Sequence, residues 1–286
     1  MVFINPKTDF AFKKIFGSEQ SKDILISFLN AILYEGNSTI TDLEIINPYL
    51  APKIRGVKET YLDVKAKITG GETVIIEMQV LNLEGFEKRI LYNAAKAYSI
   101  QLDKGEDYTL LNPVIALTIT DFEMFPNLDK VISRFVLKEK EYLVDYLIYD
   151  IELVFVELPK FHKELEQLET LTDKWIYFLK SARSLSAVPE IMGQVPEIQK
   201  AFGIANQANL NREELDDLEK REFYIHDQRN AVKKAVKQAV TQAVNEAVNE
   251  TKIEIAKQLL DVLDEATISQ KTGLSLEEIQ KLRSGI

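Results

Sequence analysis

Residues 40–81 carry an apolar period of two, and the segments on either side carry a helical period. That switch confines the chain to folds in which strands and helices share one core. Residues 61–68 (YLDVKAKI) alternate apolar and polar side chains. Residues 73–81 (TVIIEMQVL) are more apolar, and Thr69-Gly70-Gly71-Glu72 between them is a hairpin signal. A short strand is predicted at 43–46, ending at Asn47-Pro48. Upstream, residues 8–34 read as two helices. Thr8 is the N-cap of the first, with Asp9 in its first turn. Phe12, Ile15 and Phe16 recur at helical spacing, Gly17-Ser18 breaks the run, and Ile24, Leu25, Phe28, Leu29 and Ile32 form a second stripe. Downstream, 84–102 reads as a helix and 112–119 as a buried strand, with strand-like stretches at 142–149 and 151–157. Residues 1–160 therefore read as an α/β domain.

The remainder reads as helical. Residues 161–230 are strongly charged, with a stripe of Leu165, Leu168, Leu171, Trp175, Phe178 and Leu179. Residues 231–286 form a third region. It opens on five tetrads, AVKK AVKQ AVTQ AVNE AVNE, over 231–250. At about 100° per residue, each tetrad advances the Ala-Val pair by roughly 40° beyond a full turn, which favours a right-handed winding. Self-association is the reading taken; a solvated spacer helix is the other. In 253–286, Thr267 with Gln270 and Ser275 with Glu278 both have capping-box spacing. The turn Thr272-Gly273-Leu274 between them resembles a helix-turn-helix. Glu277 and Glu278 would face phosphates badly, so a helical interaction hairpin is preferred.

Composition removes several chemistries. The 286 residues contain no Cys, so neither a disulfide framework nor a thiolate zinc site can form. The two histidines, His162 and His226, rule out a His-rich metal site, and no nucleophile-elbow motif serves either of them. No run approaches the roughly 18 apolar residues of a membrane span. The N-terminus lacks a signal-peptide pattern. A cytoplasmic protein is expected. The net charge of −10 argues against non-specific coating of nucleic acid. It is unevenly spread, however: residues 1–120 hold 13 Lys+Arg against 15 Asp+Glu. An acidic total thus leaves room for a local basic groove.

The hairpin carries the chemistry. A two-residue Gly70-Gly71 turn would set Asp63 across from Met78. A three-residue loop, 69–71, sets Asp63 across from Glu77 and Tyr61 across from Gln79, and glycine suits its left-handed positions. The three-residue loop is adopted. Carboxylates that close, among Val64, Ile75, Ile76, Met78 and Val80, are costly unless a cation lies between them. Lys65 is one candidate cation, and a divalent metal such as Mg²⁺ is the other. On the helix after the hairpin, Arg89, Tyr92 and Lys96 share a face that could touch phosphate. Lys13 and Lys14 carry the same reading. An exposed charged helix face is the alternative for each.

Asp63 followed by a hairpin and Glu77-Met78-Gln79 resembles the PD-(D/E)XK nuclease superfamily, whose motif is an Asp on one strand and Glu-x-Lys on the next. The wider pattern is similar to the Rpn (recombination-promoting nuclease) family. It comprises KTDFAFKKIFG (7–17), KETYLDVKAKI (58–68), IEMQ (76–79), Arg89, Tyr92 and Tyr98 followed by QLDKGEDY (101–108), the repeat-bearing helix and the 259–282 tail. The resemblance implies a PD-(D/E)XK restriction-endonuclease-like core with a long helical C-terminal extension. It implies a metal-dependent DNA endonuclease using Mg²⁺ or Mn²⁺, with Asp63 and Glu77 as metal ligands and Asp9, the additional N-terminal acid, as a third. For Asp9, interaction with the helix dipole is the alternative. Gln79 stands where the superfamily usually has Lys. Glutamine can orient a water but supplies no charge: either Lys65 supplies it, which is the reading preferred, or the site is slow, or it is silent.

Three functions compete at this point. The first is a DNA endonuclease linked to recombination, transposition or phage defence, dimerised by its helical tail. The second is a silent nuclease fold that binds nucleic acid or protein, and the third is a structural adaptor built around the 231–250 helix.

Overall fold

The computed structural model describes residues 1–50, 60–146 and 149–284. The chain divides into two compact units, Met1–Ile225 and His226–Ile286.

In the first unit, α1 (Asp9–Phe16) and α2 (Lys22–Leu33) form as their apolar spacing requires. Thr8 Oγ1 caps α1 by accepting from the Ala11 amide. Six strands make one sheet: β1 (Leu43–Ile46), β4 (Val64–Ile68), β5 (Thr73–Gln79), β6 (Val114–Thr120), β8 (Ile151–Glu157) and β7 (Ile132–Phe135), in that spatial order. A separate two-stranded ladder joins β2 (Tyr49–Leu50) to β3 (Thr60–Tyr61). The β4–β5 hairpin pairs Val64 with Ile76 and Lys67 with Thr73, the register of a three-residue loop. Gly70 and Gly71 take φ of 108° and 99° in that loop, which side chains disfavour. The expected pairing of Tyr61 with Gln79 is not made. The backbone leaves the ladder before Val64, and Tyr61 pairs with Tyr49 instead, their rings stacked at 4.7 Å.

From β5 the chain crosses through α3 (Phe86–Ser99) to β6, which runs parallel to it. Every residue of β6 is buried, as a strand covered on both faces must be. One sheet face, including Ile75, Val114 and Ala116, packs on Ala94 and Ala97 of α3. The other, including Val64, Ala66, Val74, Ile76 and Met78, packs into the main core with α1 and α2. That core also takes α4 (Leu171–Ser181), α5 (Glu190–Gly193) and α6 (Pro196–Ala205). Residues 161–205 therefore share the core of the first 160. Phe16, Phe28, Trp175, Phe178 and Phe202 form its aromatic centre, with neighbouring rings 4.8–5.8 Å apart.

Residues 147–148 of the strand expected at 142–149 lie outside the described residues. Tyr142, Leu143, Val144 and Tyr146 are exposed, and one Lys138–Asp145 bridge is the only pairing there among the described residues. The edge strand is β7, whose short ISRF sequence gives no period to read.

α7 (Arg212–Leu259) enters the second unit, where α8 (Glu265–Thr272) and α9 (Leu276–Ser284) follow. Ala256, Ile268, Leu274 and Ile279 bury a small core of their own. The Ser275–Glu278 capping box is made in both directions. The one expected at Thr267 is not. Asp264 caps α8, and its carboxylate accepts from the Thr267 amide at 3.0 Å.

Candidate active site

The hairpin register places Asp63 and Glu77 one step beyond the last ladder pair, Val64–Ile76, on neighbouring strands. Asp63 ends that pairing itself: its Oδ2 accepts from the Met78 amide at 2.8 Å. Its Oδ1 lies 3.2 Å from Lys13 Nζ of α1. Glu77 points to the α3 side. Asn93 Nδ2 donates to its Oε1, and Arg89 Nη2 lies 3.5 Å from its Oε2. The two side chains are only 14% and 12% exposed. Burial pushes the proton affinity of both carboxyls above the ordinary range. Each also feels a neighbouring acid, Asp9 for Asp63 and Asp63 for Glu77.

Both acids open into a cleft of about 700 Å³. Its walls include Asp9, Tyr61, Gln79, Lys88, Arg89, Tyr92 and Asn93. Asp9 is held there by Arg221 of α7, with Lys13 at 4.0 Å. Gln79 is bonded at both ends: its Nε2 donates to Leu81 O, and its Oε1 accepts from Arg89 Nη2, both at 2.7 Å. Arg89 also lies over the Phe86 ring at 4.9 Å. Arg89 Nε and Asn93 Oδ1 are buried without a hydrogen-bond partner among the described residues.

The other sequence candidates lie apart. Lys65 is on the Asp63–Glu77 face of the sheet but outside the cleft lining, and burial lowers its proton affinity. Lys14 pairs with Glu214. Lys96 is buried in α3, its ammonium 5.9 Å from the Tyr92 ring. Lys88 and Asn93 were missed. For Asn93 the signal was available: it sits four residues after Arg89, one turn along the same helix face.

The oxygen donors suit a hard divalent cation. Among the described residues, no group of three or more His, Cys, Asp or Glu is arranged to hold a metal. The pair Asp63–Glu77 is what the fold presents, and two carboxylates with waters are a normal set for Mg²⁺. The orphaned Asn93 Oδ1 beside Glu77 is an acceptor such a water could use. The residues fit the ion.

A family model, PD-(D/E)XK nuclease family transposase, matches residues 6–235. The chain belongs to that family. The matched span holds the whole six-stranded sheet, the Asp63–Glu77 pair and all of α3. Membership makes this a nuclease-type protein, whose sheet and long C-terminal helix agree with the PD-(D/E)XK fold. No curated protein and no solved structure matches the chain. No helix among the described residues is long and apolar enough to cross a membrane.

Proposed function

We propose that this PD-(D/E)XK chain is a DNA endonuclease that hydrolyses phosphodiester bonds with Mg²⁺ or Mn²⁺ held by Asp63 and Glu77. The observation that carries the reading is the buried carboxylate pair, oriented by a backbone amide and by Asn93, at the floor of an open cleft. A bound divalent ion there would lower the pKa of a water and neutralise charge on phosphate. Arg89 provides the permanent cation that the Glu-x-Gln motif lacks, facing the phosphate as charge builds in the transition state. Gln79 is a positioning residue: its Oε1 fixes the guanidinium. Lys13 orients Asp63, and Asp9 adds negative potential at the rim. Tyr92 and Lys88 line the wall a strand would follow. Lys65, Lys14 and Lys96 are left as residues of the surrounding scaffold. We place the protein in the cytoplasm with its DNA substrate, in recombination, transposition or phage defence, and assembled as a homo-oligomer through the C-terminal helix.

A second reading is a nuclease fold that binds without cutting. The specific observation in its favour is that both ends of Gln79 are already bonded, to Leu81 and to Arg89, so the residue at the motif's lysine position is committed to protein partners and not to an attacking water. Supercoiled plasmid incubated at low salt with Mg²⁺, Mn²⁺ or chelator separates the two. Metal-dependent nicking that disappears in Glu77→Ala supports the endonuclease. Folded protein that binds plasmid but never nicks it sinks that reading in favour of the second.

A further inference from the structure

Tyr61 is 69% exposed, although it lines the same cleft as Asp63 and Glu77. Its ring stacks on Tyr49, with centroids 4.7 Å apart and planes 27° from parallel. Tyr49 therefore covers one face, and the exposure belongs to the other face and the edge. Pairing between β2 and β3 accounts for the covered face, because cross-strand aromatic pairs stabilise a ladder. It gives no reason for an open aromatic face in a charged cleft. A ring backed by a second ring is already held in place, so a third laid on it costs little further ordering.

The rest of the cleft names the occupant. α3 contributes Lys88, Arg89 and the exposed Tyr92, which lies one turn after Lys88. Cations for phosphate thus stand in the same cleft as aromatic rings, the combination with which proteins hold single-stranded nucleic acid. Among the described residues, the lining sets two cations against three acids, Asp9, Asp63 and Glu77. Tight binding of a duplex backbone rests on many cations, whereas stacking attracts a base without net positive charge. Size agrees. A cleft of about 700 Å³ takes one small organic molecule, such as a nucleotide, and not the width of a double helix. A base inside a duplex is stacked on both sides and shows a side chain only its edge. An unpaired base offers a face.

We propose that the open face of Tyr61 stacks an unpaired base of the nucleotide at or beside the phosphate bound at Asp63 and Glu77. Tyr61 and Asp63 are two residues apart, at most about 7 Å along the chain, which sets that adjacency. The substrate class preferred by the site is then DNA that is unpaired at the cut, as in a single strand, a flap or a gap, over continuous duplex. This deepens the proposed nuclease reading and rests on it for where the phosphate sits.

The test is binding of labelled DNA to the full chain, read by fluorescence anisotropy in chelator and in Ca²⁺. Three probes are used: an oligothymidylate strand, the same strand paired with its complement, and an abasic strand with the same number of phosphates. The native chain should bind the free strand about tenfold tighter, or more, than either of the others. Tyr61→Leu should lose that factor, with its duplex affinity and circular dichroism unchanged. Tyr61→Phe should keep it, because the ring face and not the hydroxyl does the binding. Equal affinity of the native chain for strand and duplex, or for strand and abasic strand, overturns the inference and requires no variant to fold. So do a free strand that does not bind in either condition, a Tyr61→Leu chain that keeps the preference, and a Tyr61→Phe chain as weak as Tyr61→Leu. Binding is read apart from cutting, so the two proposals fail separately. A strand preference in a chain that never nicks plasmid sinks the endonuclease alone, and nicking without a strand preference sinks this inference alone.

Discussion

Gln79 Oε1 accepts a 2.7 Å hydrogen bond from Arg89 Nη2, so the residue in the usual lysine position of the motif holds a cation instead of being one. Arg89→Ala should lower metal-dependent nicking by about 10²-fold or more, the typical cost of removing one transition-state donor. Arg89→Lys should recover only part, because a compact ammonium lacks the planar guanidinium that lies over Phe86 and brings Nη2 to both Gln79 and Glu77. Gln79→Lys alone should also impair nicking, since it sets two cations side by side. The exchange Gln79→Lys with Arg89→Gln should recover more than either single variant. Nicking rates on supercoiled plasmid check all four.

The buried acids make the metal-free fold sensitive to pH in a defined direction. Asp63 and Glu77 have proton affinities raised above their ordinary values of 3.8 and 4.5. Above those values the unfolded chain has released protons that the native site still holds, so their contribution to stability falls as pH rises through the folded pKa values. Without metal, Glu77→Gln should melt higher than the native chain near neutral pH. The gap should narrow as pH falls through 4.5 and close well below 3.8, where both carboxyls are protonated in either state. Thermal melts in chelator at stepped pH read this out, and a gap that widens on acidification would refute it.

Divalent ions should act in the same place. Mg²⁺ or Mn²⁺ should raise the Tm of the native chain, because binding to the folded state alone stabilises it. Glu77→Gln and Asp63→Asn should lose most of that response. Lys13 Nζ sits 3.2 Å from Asp63 Oδ1 and competes with an incoming cation for that oxygen. Lys13→Met should therefore lower the half-saturating Mg²⁺ concentration several-fold, measured by titration of Tm or by calorimetry.

Phe28 is fully buried, 4.9 Å from Phe16 and 5.8 Å from Trp175 between ring centroids. Phe28→Ala should cost about 3–5 kcal/mol by the lost transfer energy and the cavity left behind. Urea denaturation with an unchanged m-value would confirm it. Tyr142→Ala, on an exposed segment, should change stability by less than about 0.5 kcal/mol.

Elements whose sequence has a period were legible before the fold was known. Thr8 caps α1, β6 is buried on both faces, and the glycine loop fixes the β4–β5 register. The segment 142–149 misled because alternating Tyr142, Val144 and Tyr146 look like one face of a strand, yet among the described residues its pairing stops at the single Lys138–Asp145 bridge and those side chains stay exposed. The edge strand β7 has too few residues for a period and is placed by its partner β8. At the candidate site, the two acids share a face by register alone, which a sequence states. Which cation reaches them depends on how α1 and α3 pack across the sheet, which it does not. That is why Lys65, nearest in sequence, is outside the cleft lining while Lys13 and Arg89 are at the acids.

The contact between Asp9 and Arg221 ties the timing of synthesis to the charge balance of the cleft. The ninth residue to be made is matched by the 221st. A polypeptide interrupted after β8 and before Arg221 contains the acids and the whole sheet, yet lacks one of the cations set against those acids. Unfinished copies therefore carry more self-repulsion at this spot than finished ones.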